Sequence, residues 1–230
     1  RLLEVLGVDV LKLVSFDEKF ANSSPEEFVT KHLVPLRARL VLVGGGFKFG
    51  AGGEGNIETL RQLGLKYGFQ VREVSNIEAN GRKISTTAIR ELLDLGKVEM
   101  ASMLLGRNHS TEGIVEHGRK IGRTLGYPTA NISRDAEGYL PADGVYAGYL
   151  IADGVRYPAA HSVGTNDSIE AVPRLLESHV IGRDDLDLYD KTVVCEYVAQ
   201  VRGWAKFETL EKLKAQIADD VARAKKLLEE

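Results

Sequence analysis

The hydrophobic pattern of this chain changes period near residue 107. Before that point, short apolar runs alternate with segments of helical spacing; after it, β-branched and aromatic residues alternate with polar ones. One layer of structure does not accommodate both periods, so the change predicts two domains, residues 1–107 and 108–230. The length agrees: 230 residues, set against roughly 150 per domain, leave room for one large or two small domains.

In the first part, residues 8–14 and 40–43 are short apolar runs suited to buried strands, and residues 69–74 read as a third. Between them Ser24-Pro25-Glu26-Glu27 opens a helix: Ser24 can cap it, Pro25 suits its first position, and Glu27 stands three residues after the cap. Residues 57–67 read as a helix closed by Gly68, and Ser85 caps another over 86–95 that Gly96 ends. Alternation of strand and helix predicts an α/β domain with a parallel sheet. Residues 1–7 read as the end of an amphipathic helix, so the expectation is that more chain precedes Arg1.

Residues 97–105 form a short helix, and Gly106-Arg107-Asn108-His109 a connector. Residues 145–151 and 155–163 then flank Ala152-Asp153-Gly154, a hairpin signal. Residues 175–181 and 192–201 are two further strands. Residues 208–228 make one amphipathic helix, with Leu210, Leu213, Ile217, Val221 and Leu228 near one face. The predicted fold class is therefore α/β plus all-β, the second part being a small antiparallel barrel with a C-terminal helix.

Composition excludes several functions. A net charge of −3 argues against a general nucleic-acid binder. No apolar run reaches the length of a membrane helix. No signal peptide is visible, and a cytoplasmic location is the expectation. Cys195 is the one cysteine, which rules out an intrachain disulfide and a Cys-rich zinc site; it alternates with Val193 and Tyr197 and reads as a core thiol. Trp204, between the last strand and the helix, is read as a packing residue, the alternative being contact with an aromatic ring of a ligand.

The 24 glycines are about 10% of the chain against a usual figure of about 7%, and they cluster. His117-Gly118-Arg119-Lys120-Ile121-Gly122-Arg123-Thr124-Leu125-Gly126-Tyr127-Pro128-Thr129-Ala130-Asn131 is the densest stretch. Gly118, Gly122 and Gly126 allow close backbone approach to a ligand, and Arg119, Lys120 and Arg123 add positive charge, which together suit a polyphosphate. Thr129 and Asn131 offer a hydroxyl and an amide oxygen, hard ligands that Mg²⁺ accepts beside phosphate oxygens. Read from residues alone, a solvated basic turn explains the stretch equally well. It matches neither a Walker loop nor G-x-G-x-x-G.

The segment from Gly122 to Asn131, Gly-Arg-Thr-Leu-Gly-Tyr-Pro-Thr-Ala-Asn, resembles the signature of riboflavin kinases. Leu140-Pro141-Ala142-Asp143-Gly144-Val145-Tyr146-Ala147 looks like the next strand of that family, and Ser162-Val163-Gly164-Thr165-Asn166 and residues 180–189 follow in the expected order. Upstream, residues 43–50, Ile84-Ser85-Thr86-Thr87-Ala88-Ile89-Arg90 and Leu105-Gly106-Arg107 resemble the first domain of the bacterial bifunctional riboflavin kinases and FMN adenylyltransferases. The resemblance implies an incomplete Rossmann-like nucleotidyltransferase domain followed by a riboflavin kinase barrel. It implies ATP and riboflavin as substrates, FMN as product, and Mg²⁺ at Thr129 and Asn131. A nucleotide flap would span Gly118, Lys120, Gly122, Arg123 and Gly126 and lead into Tyr127 and Pro128. Glu177 matches the catalytic glutamate; its residues alone favour a solvated edge-strand carboxylate, with His179 on the same face as a rival base.

The chain also departs from that pattern. His-x-Gly-His is absent among its five histidines, and Gly46 stands where the family usually has aspartate. Asn166-Asp167-Ser168-Ile169 replaces Asn-Pro-Thr-Phe, Asp190 replaces a glycine, and His161 takes a usually apolar position. These changes keep a second expectation open, a flavin-binding regulator without catalysis. The resemblance implies no membrane or nucleic-acid partner; self-association follows if the strands at 8–14 and 40–43 leave an open sheet edge.

Overall fold

The computed structural model describes residues 2–79, 82–118, 121–165 and 174–229. The chain divides into two compact units, residues 1–83 and 84–230.

The first unit contains the short helices α1 (Leu2–Val5), α2 (Glu18–Ala21) and α3 (Pro25–Phe28), the strand β1 (Leu40–Gly44), the helix α4 (Ile57–Tyr67), and the strands β2 (Gln70–Val74), β3 (Glu78–Ala79) and β4 (Arg82–Lys83). α3 starts as its sequence dictates. The Glu27 amide donates to Ser24 Oγ (3.2 Å), and the Ser24 amide donates to the Glu27 carboxylate (3.0 Å), with Pro25 at the first position. β1 and β2 pair in parallel from Leu40↔Gln70 to Gly44↔Val74, and Val29, Val43, Phe49, Leu60 and Phe69 form the core. The strand expected at residues 8–14 is not there: the segment is irregular, and Val10 and Leu13 are 78% and 85% exposed. Residues 8–14 pair with neither β1 nor β2, which among the described residues have only each other as neighbours.

The second unit holds α5 (Thr86–Asp94), α6 (Val98–Leu105), β5 (His109–Glu116), α7 (Ile121–Thr124), β6 (Ala130–Ile132), β7 (Gly144–Ala152), β8 (Val155–Gly164), β9 (Leu175–Val180), β10 (Thr192–Gly203) and α8 (Leu210–Glu229). Six strands close a barrel in the order β10-β5-β6-β9-β8-β7, every pairing antiparallel. The β7–β8 hairpin turns at Asp153 and Gly154, both at positive φ (50° and 78°), the twist that a two-residue hairpin needs.

α5 and α6 pack with this barrel. Leu93, Val98 and Ala101 join Tyr146, Leu150 and Tyr197 in one buried cluster, so by packing α5 and α6 go with the barrel and the compact units divide between Lys83 and Ile84. β7 is buried on both faces: Tyr146 and Leu150 point into the barrel, while Val145 and Ala147 pack under α8 with Ala160, Val201 and Ala224. Cys195 is fully buried, as its alternation predicts. Among the described residues no helix is long and apolar enough to cross a membrane.

Candidate active site

β6, β9 and β8 are neighbours, and antiparallel register sets their outward residues in one row. Asn131 stands opposite Glu177, and Glu177 opposite Ser162. The row continues to Val145 on β7 and Arg202 on β10. Alternation along β9 turns Leu176, Ser178 and Val180 inward, where they are buried, and leaves Glu177 and His179 on the outer face. β9 lies between β6 and β8, so Glu177 is not the edge-strand carboxylate that its sequence neighbourhood predicts.

A cavity of about 400 Å³ covers this row. Leu213 and Ile217, in the N-terminal half of α8, roof it, while the C-terminal half of α8 packs on the barrel. Trp204 and Phe207 form part of its wall. Trp204 is 48% exposed, which corrects the expectation that it packs: it borders the cavity.

Gly118, Gly122 and Tyr127 bound the cavity opposite α8. Here the chain makes the single turn α7 and doubles back, the Tyr127 amide donating to Gly122 O (2.8 Å) and the Gly126 amide to Arg123 O (3.2 Å). Gly126 has φ 88°, which favours glycine. Gly118 and Gly122 serve close approach: a Cβ on Gly118 would fall on the Asn131 amide nitrogen, and one on Gly122 on the Tyr127 carbonyl. His179 anchors the returning chain. Its Nδ1 donates to Pro128 O (2.8 Å), and the Tyr127 ring meets it edge-on at 5.4 Å. Thr129 lines the main cavity and also a depression of about 50 Å³ on its other side, where Pro128, Arg123 and Arg183 converge. Lys120 lies outside the described residues, as do Asn166, Asp167 and Ser168.

Burial pushes the Glu177 carboxyl above the usual carboxylate range, because desolvation penalises the charged form. Arg202, at the far end of the row, is paired with Asp220 of α8 by Nε contacts of 2.9 and 3.0 Å and an Nη2 contact of 2.8 Å. Asp220 is 3% exposed and also accepts from Gln216 Nε2 (2.9 Å). Sequence reasoning gave Ser162, Arg202 and Asp220 no role. Only strand register and helix docking bring them to Glu177, and no local motif marks either.

Among the described residues no three His, Cys, Asp or Glu side chains gather as a metal site. The oxygen donors present, the Thr129 hydroxyl and the Asn131 amide, suit a Mg²⁺ that arrives with phosphate oxygens rather than a resident ion. Glycine at 118 keeps a side chain off the Asn131 amide, against which its backbone lies closely.

A closed antiparallel barrel with an external cavity, a glycine-rich flap on one side and a helix on the other, defines a small-molecule-binding domain with hard-oxygen and carboxylate groups at its centre. A family model described as riboflavin kinase matches residues 105–228, and one described as FAD synthetase matches residues 1–88. The chain belongs to the family of bifunctional riboflavin kinases and FMN adenylyltransferases. The protein of that name from Escherichia coli K12 is 34% identical over 227 residues, 98% of this chain and 72% of the relative. Its Bacillus subtilis counterpart is 32% identical over 225 residues, 96% and 71%. A solved structure described as a macrolide-efflux protein from Streptococcus pneumoniae superposes with TM-score 0.84 at 30% identity, covering 97% of this chain and 72% of that one.

Proposed function

We propose that the chain transfers the γ-phosphoryl group of ATP to the ribityl 5′-hydroxyl of riboflavin, giving FMN and ADP. The observation that carries this reading is the row Asn131–Glu177–Ser162 beneath the flap. Phosphoryl transfer asks mainly for positioning and neutralisation of charge, and the row supplies an amide oxygen, a carboxylate and a hydroxyl in adjacent registers. Thr129 borders both cavities, which fits a phosphate held between a nucleotide on the Arg123 and Arg183 side and an acceptor on the Glu177 side. The apolar wall of Trp204, Phe207, Leu213 and Ile217 suits an acceptor with a large ring at its other end.

Glu177 orients the acceptor hydroxyl and takes its proton as the bond to phosphorus forms, while the O–P bond to ADP breaks. Thr129 and Asn131 would hold Mg²⁺, which supplies neutralisation of phosphate charge when bound. The flap from Gly118 to Gly126, with Lys120, Tyr127 and Pro128, would enclose the nucleotide.

The test incubates the purified chain with riboflavin and Mg-ATP, then FMN and Mg-ATP, and separates the flavins. FMN forms in the first arm. The second arm yields no FAD, because the FAD synthetase match covers only residues 1–88 and the chain holds no His-x-Gly-His. Saturable flavin binding with no FMN formed would instead favour the non-catalytic regulator.

A further inference from the structure

His161 is a fully buried imidazole inside the barrel. Both of its ring nitrogens are engaged: Nε2 donates to the Glu196 carbonyl on β10 (3.1 Å), and Nδ1 accepts from Ser178 Oγ on β9 (3.0 Å). His161 itself is on β8, directly opposite Ser178. β9 and β10 are not neighbours in the barrel, so the imidazole joins two strands that the ladder does not join.

The surroundings are fitted to this ring. A Cβ on Gly148 would collide with the Glu196 carbonyl and stand 2.8 Å from His161 Nε2, so the glycine leaves the space that the imidazole fills. The Tyr197 ring meets His161 edge-on at 5.4 Å. A register shift between Tyr197 and Ala199 interrupts the β7–β10 ladder just beyond Glu196.

Ser178 is the residue after Glu177, and the two side chains leave β9 on opposite faces. Fixing Ser178 from inside therefore fixes the direction in which Glu177 leaves the outer face. We propose that His161 is a positioning residue for the reaction: held by Ser178 on one side and by the Glu196 carbonyl on the other, it ties β9 to β10 through the lumen and sets the aim of Glu177. This rests on Glu177 being the proton acceptor. His161 also borders the cavity, but both ring nitrogens are engaged inside the barrel, so the tie acts on the chemical step and not on substrate binding.

The test compares steady-state kinetics of Ser178→Ala, His161→Leu, His161→Asn and Glu177→Gln. Ser178→Ala cuts the β9 end of the tie, and with it the hydrogen bond between Ser178 and the Cys195 thiol on β10, with little change of volume. It is expected to lower kcat roughly 10- to 100-fold, as small misplacements of reacting groups do, with KM for riboflavin and ATP unchanged. His161→Leu gives the same loss, and the double variant is no worse than either single one, because one tie is being cut. His161→Asn, whose amide oxygen stands near the place of Nδ1 but falls short of the Glu196 carbonyl, keeps only the β9 end of the tie and does not recover kcat. In the Glu177→Gln background Ser178→Ala costs nothing further. Folded Ser178→Ala with parental kcat, or with a raised KM and parental kcat, overturns the tie. If Glu177→Gln itself turns over normally, the proton-acceptor reading fails instead. Should His161→Leu not fold, Ser178→Ala and its double with Glu177→Gln decide the matter alone.

Discussion

Asn131 and Glu177 face each other as register partners on adjacent antiparallel strands. Directly opposed residues on one face of such a pair stand about 5 Å apart at Cβ. A neutral oxygen donor and a carboxylate at that separation can address the two ends of one event, the phosphate oxygens and the hydroxyl that attacks. The spacing comes from the ladder and not from loop conformation, so it is set before any substrate binds.

Asn131→Ala removes the donor and keeps the strand. Turnover should collapse at low Mg²⁺ and recover in part at high Mg²⁺, while riboflavin binding followed by flavin fluorescence stays parental. A Mg²⁺ titration of initial rates checks this. Parental activity at low Mg²⁺ would remove Asn131 from the metal site.

Asp190 adopts φ 61° at a position where the family pattern has glycine. Its amide donates to Val115 O (2.9 Å), which a glycine retains. Aspartate tolerates this conformation better than most residues but still at some cost. Asp190→Gly should stabilise the chain by up to about 1 kcal/mol, the scale of left-handed strain, read as a raised urea midpoint with an unchanged m-value.

Much of the fold is legible in the sequence where a local rule is sufficient. Ser24, Pro25 and Glu27 make the helix start that their spacing dictates, and Asp153-Gly154 makes the hairpin turn. The site is legible as far as its motif reaches: Gly118, Gly122, Tyr127, Thr129, Asn131 and Glu177 all border one cavity. What fails depends on partners that the sequence does not name. Residues 8–14 have strand composition but do not pair with β1 or β2. The amphipathic faces of α5 and α6 say that a core exists but not which one, and they cover the barrel. His161 looks like a polar intrusion in a strand until Ser178, Gly148 and the Glu196 carbonyl are seen around it.

α8 is held over the cavity by a buried pair, Arg202 on β10 and Asp220 on the helix. Breaking a buried pair from one side leaves an uncompensated charge, at a cost of about 3–5 kcal/mol. Asp220→Ala should destabilise the chain by about 3 kcal/mol and raise KM for riboflavin, because the same helix carries Leu213 and Ile217 into the cavity. Chemical denaturation and KM measurement in parallel test it. A large stability loss with parental KM would show that the helix roof contributes nothing to binding.

Glu177 ties activity to stability with opposite signs. Its carboxyl titrates above the usual range because burial disfavours the charged form, so the folded chain holds this proton more tightly than the unfolded chain does. The stability gained from the neutral form is fully present below the ordinary carboxylate value, about 4.3, and is lost as pH rises through the raised value. At neutral pH the parent therefore carries the cost of a buried charge, and Glu177→Gln does not. Without nucleotide or Mg²⁺, Glu177→Gln should melt above the parent at pH 7, and the difference should vanish as pH falls below about 4. Its turnover should drop by roughly 10²–10⁴ fold, the usual contribution of a positioned base, with riboflavin and ATP still bound. The parent's kcat should fall on its acid limb at a pH above the ordinary carboxylate value, since only the ionised group accepts a proton. Melting curves and pH–rate profiles of the two proteins side by side are the measurement. A Glu177→Gln variant less stable than the parent at pH 7, yet equally active, would make Glu177 a structural carboxylate and leave the proton to another group, of which His179, on the same strand face, is the first to test.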